Sequence, residues 1–166
     1  FRRSVIEQFG ICFGDAVFAE DMDFTFRYLL HCKSYLFFPE PLYIYHVRSS
    51  SVMRTIDRQK QVSQFLSVLQ RQKAELSEIM PLRLFYLYEA VALSQFMGEP
   101  EPGESPEEKV CATAALLKNC DGWESLLQDA EKMAENQAAV RAVCGQPYRA
   151  LANAFFQFLL DGNEKR

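Results

Sequence analysis

Leu82-Arg83-Leu84-Phe85-Tyr86-Leu87-Tyr88-Glu89-Ala90-Val91-Ala92-Leu93-Ser94-Gln95-Phe96 is apolar nearly all round when wound as a helix. A helix without a polar face must be surrounded, so this stretch predicts a helix at the centre of a bundle. Its neighbours supply the partners. Upstream, Val62, Phe65, Leu66, Leu69, Leu76 and Met80 make one amphipathic stripe. Downstream, a Pro/Gly/Glu linker over 98–103 leads to Ser105-Pro106-Glu107-Glu108. That is a strong helix start, with Ser as cap, Pro in the first turn and Glu three residues on. Asp121-Gly122-Trp123-Glu124 repeats the capping pattern ahead of a stripe of Trp123, Leu126, Leu127, Ala130 and Met133. Gln146-Pro147 opens a last helix with Tyr148, Leu151, Phe155, Phe158 and Leu159 facing inward, and Gly162 is its expected stop. About five helices are expected after Arg48.

The composition suits such a bundle. In 166 residues, 49% are hydrophobic, 24% charged and 13% aromatic, with 14 Phe and 7 Tyr to fill a core. The net charge of −4 argues against nucleic acid, which is bound through clustered Lys and Arg. The five cysteines, Cys12, Cys32, Cys111, Cys120 and Cys144, are odd in number and contain no Cys-x-x-Cys. Reduced thiols are therefore expected rather than a zinc site or a disulfide framework. No apolar run reaches the roughly 18 residues of a membrane span, and no signal peptide is visible.

The first 48 residues have a different character. Phe1 to Phe9 reads as a short helix stopped by Gly10, and Ile11 to Phe18 as a loop or short strand. Ala19 to Lys33 has helical spacing, with Met22, Phe26, Leu29 and Leu30 on one face. Tyr35-Leu36-Phe37-Phe38 is of strand type until Pro39 and Pro41 break it, and Leu42 to Val47 alternates as a second strand. On that strand Leu42, Ile44, His46 and Arg48 share one face. Tyr43 and Tyr45, on the other, are expected in the core. The predicted class is α+β, mainly α.

Phe1-Arg2-Arg3-Ser4, Gly10-Ile11-Cys12-Phe13, Ala19-Glu20-Asp21-Met22-Asp23-Phe24 and the segment from Pro41-Leu42-Tyr43 through Arg48-Ser49-Ser50-Ser51 stand in a telling order. That order resembles the C-terminal part of the catalytic domain of family 2 glycosyltransferases of the GT-A fold. The resemblance covers about a third of the chain. It implies a division into residues 1–54, a short helix/strand remnant of the GT-A catalytic domain, and residues 55–166, a C-terminal helical extension.

The same resemblance implies the chemistry. Asp21 would be the catalytic base, taking the proton of an acceptor hydroxyl as its oxygen attacks the anomeric carbon of a nucleotide sugar. Glu20 would orient Asp21 or hold the acceptor. A carboxylate is ionised at neutral pH, and a positioned one typically contributes about 10²–10⁴-fold. His46 and Arg48 would lie near the donor diphosphate and stabilise its departing charge; the common family pattern has Arg where this chain has His46. Taken alone, acids in a first helical turn also serve the helix dipole. Asp21-Met22-Asp23 is not assigned as a metal motif, because residues two apart on a helix diverge. No metal ligand is assigned in this chain. A divalent metal, Mg or Mn, is implied for the full-length enzyme, held mainly by a donor-binding half.

No Gly-rich phosphate loop, no alternating strand–helix units and no suitable Asp-x-Asp occur here, and the chain begins at Phe1. The expectation is a C-terminal fragment, inactive alone, of an enzyme using a nucleotide sugar and a glycan acceptor in cell-surface polysaccharide synthesis. Its expected location is the cytoplasm, including the inner face of the membrane. Residues 34–48, parted from the rest of a sheet, would form a hairpin packed on the helices or pair across a possible homodimer. The rival expectation is a non-enzymatic helical interaction module.

Overall fold

A computed structural model describes residues 1–36, 38–44, 46, 55–79, 81–98, 102–136, 138–139 and 148–164, with backbone only at 148–149, 159–160 and 162–164. The protein is mainly helical. Its helices are α1 (Arg3–Phe9), α2 (Glu20–Leu30), α3 (Arg58–Ser77), α4 (Leu82–Met97), α5 (Pro106–Leu117), α6 (Trp123–Glu135) and α7 (Tyr148–Glu164). The five helices expected after Arg48 correspond to α3–α7.

The apolar run over 82–96 becomes α4, which touches α3, α5, α6 and α7. Phe85, Ala90, Leu93 and Met97 are buried in its contacts. Around it, α3 buries Val62, Phe65, Leu66, Leu69 and Leu76, and α6 buries every residue of its expected stripe. From α7, Leu151, Ala152, Phe155 and Phe156 enter the same core, and Phe158 packs half-buried against it. Met80 and the side chains of Tyr148 and Leu159 lie outside the described residues.

Two ends follow the sequence pattern and two depart from it. Gly10 caps α1 in the left-handed region (φ 61), and α5 begins in a full capping box: Glu108 N donates to Ser105 Oγ at 3.1 Å while Ser105 N donates to Glu108 Oε2 at 2.8 Å. At α6, however, the cap is Gly122 at φ 96 and not the Asp121 side chain. The Gln70 amide lies against Gly122 so closely that a Cβ there would collide with it. Gly162 does not stop α7, which continues to Glu164; a glycine ends a helix only where the next residues need a left-handed turn.

α2 packs on α3, and its Phe26 meets Tyr88 of α4 at 4.7 Å between ring centroids. Just before α2, Phe18 meets Phe96 edge-on at 5.8 Å. Met22, Phe26 and Leu30 pack on the core as expected, whereas Leu29 is half exposed.

The expected strands are not seen among the described residues. Among the described residues no strand occurs, Ile11 to Phe18 included. Tyr35 (86% exposed), Leu36, Phe38, Leu42, Tyr43 and Ile44 all lie open to solvent, so a packed hairpin and a core role for Tyr43 are both corrected. The mainly-α part of the expected class holds, and the described residues contribute helices and no strand to it. An extended segment becomes a strand only by pairing its amides, and none of the described elements offers an edge to pair with. Phe37, Tyr45, Val47 and Arg48 lie outside the described residues.

Candidate functional site

The acidic turn opens α2. Its N-cap, Ala19, sits in the left-handed region at φ 64 and ψ 18, the one non-glycine with positive φ among the described residues. A side chain there is costly, on the order of 1–2 kcal/mol, and such outliers gather at functional sites. Ala19 offers no side-chain cap. Asp21 partly replaces it: its Oδ1 accepts from the Met22 amide at 2.7 Å. The Asp21 side chain is exposed and Glu20 is half-buried.

Asp21 and Phe24 are three apart and share a helix face. Phe24 stacks on Phe13 (4.4 Å, 10°) and meets Phe1 edge-on (5.3 Å, 76°). Both partners are exposed, so Phe24 belongs to an open aromatic patch on the same side of α2 as Asp21. His46 is exposed too, but the strand that would have aligned it with Arg48 is not formed among the described residues, and Arg48 is outside them. The structure therefore places Glu20 and Asp21 together by adjacency, and His46 has no contact with them among those described.

Two polar clusters escaped the sequence pattern. Asp23, two residues past Asp21, is only 1% exposed. Its Oδ2 accepts from Arg71 Nη2 at 2.7 Å and its Oδ1 from Gln72 Nε2 at 3.3 Å. One turn along, Arg27 Nε pairs with Glu75 Oε2 at 2.9 Å, and Arg27 Nη1 also reaches the Cys12 carbonyl at 3.4 Å. The signal was present: Asp23 lies between Met22 and Phe26 on the face that packs on α3.

The second cluster lies inside the bundle. Glu89 of α4 is buried, and among the described residues its Oε2 has no hydrogen-bond partner. Nearby, Lys73 of α3 is ion-paired with Asp129 of α6 and lies over the Tyr86 ring at 5.6 Å. Burial first, and then the Asp129 carboxylate, push the Glu89 carboxyl up to about 8 against the opposing pull of Lys73. A lone acid within a nearly unbroken apolar run was the readable sign.

Two open grooves of about 400 and 360 Å³ flank the bundle, one beside Lys73 and Ser125, the other beside Cys111 and Phe158. Neither has Glu20, Asp21 or His46 in its described lining. Among the described residues no three His, Cys, Asp or Glu side chains are grouped as metal ligands. Cys12, Cys32, Cys111 and Cys120 are free thiols. No helix among the described residues is long and apolar enough to cross a membrane.

The chain matches no protein-family model, no curated protein and no solved structure.

Proposed function

We propose that this chain is the C-terminal part of a family 2, GT-A type glycosyltransferase that moves a sugar from a nucleotide sugar to an acceptor hydroxyl, in cell-surface polysaccharide synthesis. One observation carries it: the Asp21 side chain is exposed at a helix start, on the same side of α2 as the aromatic patch of Phe1, Phe13 and Phe24. A base must be reachable by the acceptor oxygen, and flat aromatic rings suit the apolar C–H face of a sugar. In this role Asp21 takes the hydroxyl proton as the new C–O bond forms at the anomeric carbon. The bond from that carbon to the diphosphate breaks in the same displacement, and the nucleoside diphosphate leaves. Glu20 holds the acceptor or orients Asp21. His46 and Arg48 offset the charge on the departing diphosphate.

Exposed apolar side chains support the need for a donor-binding half. Among the described residues, eleven of the thirteen exposed large hydrophobics fall between Phe1 and Ile44. A surface so concentrated marks a contact with something else. In the intact enzyme Asp21→Asn abolishes transfer and leaves nucleotide-sugar binding within about twofold, since the carboxylate acts on the acceptor. Retained transfer in that variant removes Asp21 as the base. The chain by itself, mixed with Mg or Mn and nucleotide sugars, should release no nucleoside diphosphate.

The same apolar concentration would also serve a non-enzymatic helical module that binds a protein through residues 1–44. Transfer that depends on Asp21 separates the two, because a binding module has no use for a base.

A further inference from the structure

We propose that the helical bundle clamps the acidic start of α2 through Asp23, making Asp23 and Arg71 positioning residues for Glu20 and Asp21. The role of those two acids in transfer rests on the function proposed above; the clamp itself rests on geometry alone.

The first turn of α2 has little local support. Its N-cap has no side chain to offer, and its backbone is in a costly conformation. What holds it is tertiary. Phe18, Ala19 and Met22 pack on the core from below. Asp23 sends its carboxylate into α3, where Arg71 and Gln72 take one oxygen each. Gly14 of the preceding loop lies beside the Arg71 guanidinium, with room for a Cβ only 3.5 Å from Nη2, so the arginine touches both the loop leading to α2 and α2 itself.

The charge pattern also fixes register. Asp23 pairs with Arg71 and Arg27 with Glu75, so both helices step by four residues in the same direction and run parallel at this contact. A slip of one turn would set Asp23 against Glu75, or Arg27 against Arg71. Both are like-charge contacts, one at a site only 1% exposed. Apolar packing tolerates sliding; this alternation does not. Asp21 lies about half a turn before Asp23, so the register that α3 imposes on Asp23 sets where the Asp21 carboxylate stands. This gives the C-terminal helices a task, holding α2 so that its first turn faces outward in one pose.

Amide hydrogen exchange in this chain tests the clamp. Arg71→Gln is suited to it, because the Arg71 side chain is 40% exposed and its loss leaves the core intact. Asp23→Asn is the second variant, in case an unpaired Asp23 carboxylate unfolds the first. The expected result is exchange at least tenfold faster over residues 20–26, with α5, α6 and α7 unchanged, and near-normal protection in Arg71→Lys. In the transferase, Arg71→Gln should lower kcat at least tenfold with the donor KM within about twofold. Unchanged exchange in α2, or a rise spread evenly over all helices, overturns the clamp. Failure is separable from failure of the transferase reading: loss of the Asp21 effect refutes the base, while the exchange pattern judges the clamp without any activity.

Discussion

Glu89 sits where a charged carboxylate is least at home, in the middle of the central helix with one oxygen unpartnered among the described residues. Its pH behaviour follows. The carboxyl is raised from 4.5 to about 8, so between those values the folded chain holds a proton that the unfolded chain has released. Folding then binds the extra proton, and stability falls as pH rises through this window. The contribution is whole below the unfolded value and lost as pH climbs toward the folded one. The slope approaches about 1.4 kcal/mol per pH unit, so a rise from about pH 5.5 to about pH 7.5 removes about 3 kcal/mol. Glu89→Gln keeps the shape and deletes the titration. Urea unfolding of both proteins across this range should show the stability of the native chain falling by about 3 kcal/mol relative to the variant. Lys73, Asp129 and every other titrating group remain in both proteins, so the difference isolates Glu89. Parallel stability curves would refute the reasoning and mean that water reaches the carboxylate.

Gly122→Ala combines a left-handed φ with a collision against Gln70; it should lower Tm by roughly 5 °C, and Gln70→Ala should restore only the steric part. Phe155 is 1% exposed in the core of the bundle, and Phe155→Ala should cost about 3–5 kcal/mol in chemical denaturation, with a much smaller loss excluding it from the core.

The helices were legible because their signals are local. The all-apolar run of α4, the stripes of α3 and α6, and the capping box at Ser105 each depend on residues within a few positions of one another. The strands over 34–47 were not legible in the same way. Their alternation and aromatic content are sound strand signals, but a strand exists only with a partner, and sequence says nothing of whether one is within reach. Gly122 shows the same limit on a smaller scale: Asp121 had the right chemistry for a cap, and the Gln70 side chain, distant in sequence, decided for glycine.

The candidate site divides in the same way. Sequence by itself determined that Glu20 and Asp21 open a helix, since adjacency and helical period need no tertiary knowledge. Only the tertiary structure decided that Asp21 is exposed while Asp23 is buried against Arg71 and Gln72. Two carboxylates of like chemistry, two residues apart, point about 200° away from each other around a helix. Which of them meets solvent depends on where α3 lies. That position is set by packing and ion pairs between segments nearly fifty residues apart, which no local pattern encodes.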